Sequence, residues 1–170
     1  MFEALALKRV MDKYRIDKFP VSYYLNQFKA EDIEVLPYRE AGYYLIEKGE
    51  LKKVESSTNE KADHFSEQLP QGIVTISYGE DEFDIYFPVE KGVVDMRFIA
   101  LAKEILAELP SLDAIARKVP SEFDHEEHLA YLCLGDSEIE LHYFASTVNT
   151  EWSVYFKKQQ DEAWHFEGIG

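Results

Sequence analysis

The chain has 170 residues, 46% of them apolar and 14% aromatic, which allows one substantial core and excludes a disordered or low-complexity protein. Net charge is −15, and it is unevenly placed: residues 1–70 carry 11 basic against 13 acidic side chains, whereas residues 71–170 carry 7 against 20. Such acidity disfavours unspecific binding to nucleic acid or anionic lipid and favours a basic partner.

No run of about 18 apolar residues offers a membrane span, and no basic-then-apolar leader is visible, so a cytoplasmic protein is expected. Phe2, Leu5, Ala6, Val10, Met11 and Tyr14 recur at helical spacing and predict an amphipathic helix over about 3–15. Beyond Pro20, the positions of Val21, Leu25 and Phe28 predict a second, shorter helix that ends before Glu31 and Asp32. Residues 42–46 and 51–54 flank Glu47-Lys48-Gly49-Glu50 as the arms of a hairpin. Two helices and a hairpin are also the beginning of a winged-helix DNA-binding regulator. That reading requires a basic recognition helix, and none is visible between Lys29 and Glu40. The polar stretch 55–68 opens with Ser56-Ser57-Thr58-Asn59 and predicts a loop, then a short helix capped by Thr58 or Asn59. It is the candidate boundary between an N-terminal helical and hairpin segment, 1–70, and a C-terminal α+β domain, 71–170; the first segment could also complete the same core.

Residues 73–78 and 83–89 flank Gly79-Glu80-Asp81-Glu82 as another hairpin, with Pro88 marking an edge or a strand end. Val94, Phe98, Leu101, Ile105, Leu109, Leu112 and Ala116 then predict a long helix over 93–118, kinked or divided at Pro110. Cys133 is the one cysteine and lies in the apolar, strand-like run 129–134, so it reads as core filler and not as a reactive thiol.

Residues 137–170 read as three strands joined by two hairpin connections. Ile139, Leu141 and Tyr143, then Trp152, Val154 and Phe156, then Trp164 and Phe166 alternate with polar neighbours. Symmetric turns place Leu141 opposite Val154 and Val154 opposite Phe166. On the other face they align Glu140, Tyr155 and His165 in one row, and His142, Ser153 and Glu167 in the next. The expected fold is therefore α+β: an antiparallel sheet of about six strands covered on one face by the long helix, with the N-terminal segment attached.

Two groups invite chemical readings. His125 and His128 stand at i and i+3, not in the H-E-x-x-H pattern, and no distant third ligand is marked, so a solvated helix end or loop is expected there. The row His142, Ser153, Glu167 has the residue types of a hydrolase triad, but it puts the serine in the middle, where a triad requires the histidine. No catalytic, cofactor or metal residue is assigned. The same face, with Glu138, Glu140, His142, Glu151, Tyr155, His165 and Glu167, reads as a partner-binding surface that mixes charge with amphipathic rings.

Residues 83–170 carry Asp84-Ile85-Tyr86-Phe87, the helix through Ile105-Leu106, the strand Ile139-Glu140-Leu141-His142-Tyr143, then Asn149-Thr150-Glu151-Trp152 and the terminal Trp164-His165-Phe166-Glu167-Gly168-Ile169-Gly170. In this strand-and-turn patterning the segment resembles small uncharacterised bacterial domains grouped with the immunity proteins of polymorphic-toxin systems. The resemblance implies an acidic binding protein and carries over no catalytic residue. The expected function is noncatalytic binding of a basic protein partner, with oligomeric state left open. A small hydrolase or metal-dependent enzyme is the rival class and a winged-helix regulator the third.

Overall fold

A computed structural model describes residues 18–118, 127–145 and 150–170. The helix expected over 3–15, His125 of the histidine pair, and residues 146–149 of the connection after Tyr143 lie outside the described residues. In chain order the elements are β1 (Phe19–Pro20), α1 (Val21–Asn26), a 3-10 turn (Ala30–Asp32), β2 (Glu34–Leu36), β3 (Gly42–Glu47), β4 (Glu50–Val54), β5 (Asp63–Phe65) and β6 (Gln71–Tyr78). They continue with β7 (Asp81–Glu90), β8 (Val93–Val94), α2 (Met96–Arg117), β9 (His128–Leu134), β10 (Glu138–Ala145), β11 (Thr150–Lys158) and β12 (Trp164–Ile169). The chain forms two compact units, a smaller one containing Leu36–Pro70 and a larger one of Phe19–Val35 and Gln71–Gly170.

In the smaller unit three strands run in the order β4-β3-β5. Glu47 pairs with Glu50, so the β3–β4 hairpin turns on two residues, Lys48 and Gly49, both at positive φ (53° and 80°). This is the primed turn whose twist matches the strands, and glycine at its second position makes it accessible. The helix expected after Thr58 is replaced by turns and β5. Asn59 spends its side chain on the Lys61 N–H (2.9 Å), and Asp63–Phe65 then pairs with β3. The strand pairing sets the Phe65 ring edge-on to Tyr44 at 6.2 Å, a packing gain that a polar helix could not match.

The larger unit is built on a nine-stranded sheet in the order β1-β6-β7-β9-β10-β11-β12, with β2 also on β6 and β8 on β7. The α+β class with one long helix is as expected, but the sheet is mixed, not antiparallel, and has more strands. β1 runs parallel to β6 and β7 parallel to β9. The reason lies in the connections: α2 carries the chain from the end of β7 back across the sheet, and a helical crossover delivers the next strand parallel. The segment expected to hold a second helix supplies only six residues of it, Val21–Asn26; between Lys29 and Glu40 lie the acidic 3-10 turn and β2.

The long helix begins at Met96, not at Val93, because Val93 and Val94 pair with β7 and the Asp95 side chain accepts from the Arg97 N–H at 2.8 Å as an N-cap. It runs unbroken through Pro110. Losing one helical hydrogen bond there costs about 3 kcal/mol. Leu106, Leu109 and Leu112, all buried on the same stripe around it, offset this at roughly 2 kcal/mol each. That stripe packs with Val74, Ile76, Phe83, Ile85, Leu132, Leu141, Val154 and Phe156 in one core, which also takes in Trp152 and Trp164. Gly72 is needed where the strand passes Ile33: a Cβ there would meet the Ile33 Cγ2 at 2.8 Å.

Candidate functional site

The β10–β11 register is the expected one, with Leu141 opposite Val154, Glu140 opposite Tyr155 and His142 opposite Ser153. The β11–β12 register is not. Phe166 lies opposite Phe156, His165 opposite Lys157 and Ile169 opposite Val154. Two causes add up. The connection closes at Lys158–Trp164, two residues further along than a symmetric turn at 158–162 would give, with Glu162 at positive φ. Glu167 is then the extra residue of a bulge between Tyr155 and Phe156. His165 therefore leaves the Glu140–Tyr155 row and bonds Asp161 at 2.8 Å, while Glu167 leaves the His142–Ser153 row and stands exposed. Its place beside Ser153 is taken by the Gly170 backbone, which exchanges two hydrogen bonds with that of Ser153 (2.8 and 2.9 Å).

On the sheet face away from α2, strand pairing brings His142, Ser153, Glu140 and Glu151 into one network. The Ser153 hydroxyl donates to the Glu140 Oε2 at 2.6 Å, and its Oγ lies 2.7 Å from the His142 Nδ1. On the other side of the ring, Nε2 lies 3.1 Å from the Glu151 Oε2. A carboxylate only accepts, so a proton on Nε2 is donated to Glu151, while the direction of the Nδ1 contact with Ser153 follows from the tautomer. The imidazole bridges two strands through its two nitrogens. A second bulge tightens this: Ala130 is the extra residue of β9, which leaves Tyr131 opposite His142, their rings stacked at 4.3 Å and 10°.

Histidine does lie between a serine and an acid here, an order that the sequence-derived row with Glu167 lacks. The acid is Glu151, and the serine has a second carboxylate partner in Glu140. A base must take the serine proton, whereas this serine hydroxyl donates to the Glu140 carboxylate. Ser153 and His142 are also 5% and 8% exposed, so both lie buried beneath this face.

Of the expected surface residues, Glu138, Glu151 and Glu167 are exposed, while Glu140, Tyr155 and His165 are half-buried. Cys133 stands opposite Glu140, and burial, reinforced by that charge, pushes its thiol up to about 12. Burial, with Glu140 contributing, also raises Tyr131. Asp113 of α2 is an anchor that pattern reading missed: it accepts from the Tyr143 hydroxyl at 2.5 Å and pairs with Arg117 at 3.0 Å. Its signal was faint, one acid in the last turns of a helix facing a core tyrosine. Among the described residues, no three His, Cys, Asp or Glu side chains converge on a metal-sized site, and no helix is long and apolar enough to cross a membrane.

No protein-family model, curated protein or solved structure matches the chain.

Proposed function

We propose that the larger unit binds a protein partner that presents basic side chains, and does so without catalysis. The observation that carries this is the pair of carboxylates Glu140 and Glu151, set on neighbouring strands and held there by Ser153 and His142. Carboxylates fixed before the encounter lose little side-chain entropy when a lysine or arginine reaches them. The exposed Glu138 and Glu167 add long-range attraction, and the half-buried Tyr155 ring adds short-range contact area. An immunity-type role, neutralising a basic toxin, fits this chemistry.

Capture from a host lysate at low salt, followed by association kinetics with the partner obtained, tests the reading. Glu138→Lys combined with Glu167→Lys leaves the buried network intact and should slow association several-fold at low salt, with the effect fading as the Debye length falls from about 30 Å at 0.01 M to about 8 Å at 0.15 M. Tyr155→Ala should act on dissociation. A partner whose kinetics ignore all three changes binds elsewhere, and the reading falls.

A further inference from the structure

The smaller unit buries a cation that has no counter-charge among the described residues. Arg39 is 8% exposed and sits where β-bridge pairing ties it to Gln68: its N–H donates to the Gln68 carbonyl at 3.0 Å and its carbonyl accepts in return at 2.8 Å. The guanidinium gives one hydrogen bond to the Gln68 Oε1 (3.2 Å) and one to the Ser66 carbonyl (2.8 Å), both to neutral acceptors. Its Nε–H is buried with no acceptor. The rings of Phe65 and Tyr44 flank its charge at 4.9 and 5.6 Å. Among the described residues it has no carboxylate within ion-pair distance; the neighbouring Glu40 is engaged by Lys53. An arginine taken out of water is expected to be paired, since desolvating an unpaired charge is expensive.

Arg39 lines a cavity of about 400 Å³ within the same unit, walled by Leu36, Leu51, Tyr38, Tyr44 and Gln68, with Glu50 on its lining as well. The volume suits a small organic molecule, and the walls are mainly apolar and aromatic with one buried cation among them. We propose that this cavity binds an organic monocarboxylate: an apolar or aromatic body seated between the leucines and tyrosines, its carboxylate on the Arg39 guanidinium. A single cation, with the Glu50 carboxylate nearby, matches one negative charge and disfavours a doubly charged phosphate. A carboxylate accepts two N–H groups of a guanidinium side by side, and three of the five here are not engaged by any of the described residues. The same chemistry is offered by a free carboxylic acid and by the C-terminus of a peptide.

The test is a titration of the full chain, followed by NMR through the Arg39 Nε–H resonance, with phenylacetate, its neutral isostere phenylacetamide, inorganic phosphate, and the tripeptide Gly-Gly-Phe as free acid and as amide. Phenylacetate should bind saturably and shift the Arg39 resonance, and phenylacetamide should bind roughly tenfold to a hundredfold more weakly, the range of a lost charge-assisted hydrogen bond. A tighter free-acid tripeptide identifies a peptide terminus as the source; a tripeptide that does not bind identifies a small acid. Arg39→Met should abolish the difference between acid and amide. Tyr38→Ala, on the exposed rim and removed from the fold's support, should weaken both equally. Phosphate binding as tightly as phenylacetate, or no saturable shift with any carboxylate, overturns the proposal and leaves Arg39 a strut between two rings.

Discussion

The two units treat charge in opposite ways. On the sheet face of the larger unit, an imidazole with partners at both nitrogens stands between two carboxylates, and a serine hydroxyl links one of them to the ring, so both ring nitrogens and the hydroxyl have partners inside the fold. In the smaller unit, Arg39 is as deeply buried but meets only neutral oxygens and ring faces. A satisfied network is a structural element that also fixes two carboxylates in place. An unmatched buried cation stores a demand for negative charge, which a ligand can meet. Substitution should therefore be costly in the first region and nearly free in the second.

The largest effect expected is on the core beneath the network. Tyr143 is fully buried, and its hydroxyl is raised first by burial and then by the Asp113 carboxylate that accepts its hydrogen bond; Tyr131 is raised by burial and Glu140. Both shifts favour the neutral phenol in the folded state. The stabilisation is thus fully present below the unfolded tyrosine value of about 10 and is lost as pH rises towards the folded values. Tyrosinate absorbance from these two rings should appear only together with loss of near-ultraviolet circular dichroism. Two rings that ionise while the fold persists would show that the core is more open than described.

Next in size is Trp152→Ala, which removes a ring stacked on Tyr143 at 4.6 Å and should destabilise the larger unit by roughly 3–5 kcal/mol in a denaturant titration. Native tryptophan emission should be blue-shifted, since Trp152 and Trp164 are both buried. Ser153→Ala should cost about 1–3 kcal/mol, because it leaves Nδ1 and one Glu140 oxygen without their partner. A loss of only a few tenths would mean that the network is loose and cannot hold carboxylates for a partner.

How much of this was legible in the sequence follows from what local pattern can encode. The β10–β11 register was readable because apolar alternation is unbroken on both strands, so a slip would expose Leu141 and Val154. The β12 register was not, because the bulge at Glu167 leaves the Trp164–Phe166 alternation unchanged while moving every partner. Likewise, the apolar runs of β7 and β9 name two strands but not their direction, which α2 decides by crossing the sheet between them. His142 and Ser153 were placed in the correct row, yet read as outward and open; the Tyr131 ring that stacks on His142 arrives through the Ala130 bulge. Arg39 carried no signal at all. In Pro37-Tyr38-Arg39-Glu40 it looks like any solvated loop charge, and only pairing with Gln68, far along the chain, buries it.

The smallest effect is the sharpest test of the contrast. Replacing Arg39 by methionine keeps an unbranched, apolar stem of similar reach between the Tyr44 and Phe65 rings and removes a charge that has no counter-ion among the described residues. It gives up two hydrogen bonds to neutral acceptors, roughly 1–2 kcal/mol together, and it regains the desolvation of an unpaired cation, which is of opposite sign and at least comparable. The net change should lie within about 1 kcal/mol of zero in the absence of ligand, against the several kcal/mol that breaking a matched buried charge would cost. Chemical denaturation of Arg39→Met beside Ser153→Ala decides it on one scale. If the arginine variant loses more than the serine variant, the guanidinium is held as firmly by Gln68, Ser66 and the two rings as His142 is by its carboxylates, and the difference between the two units disappears.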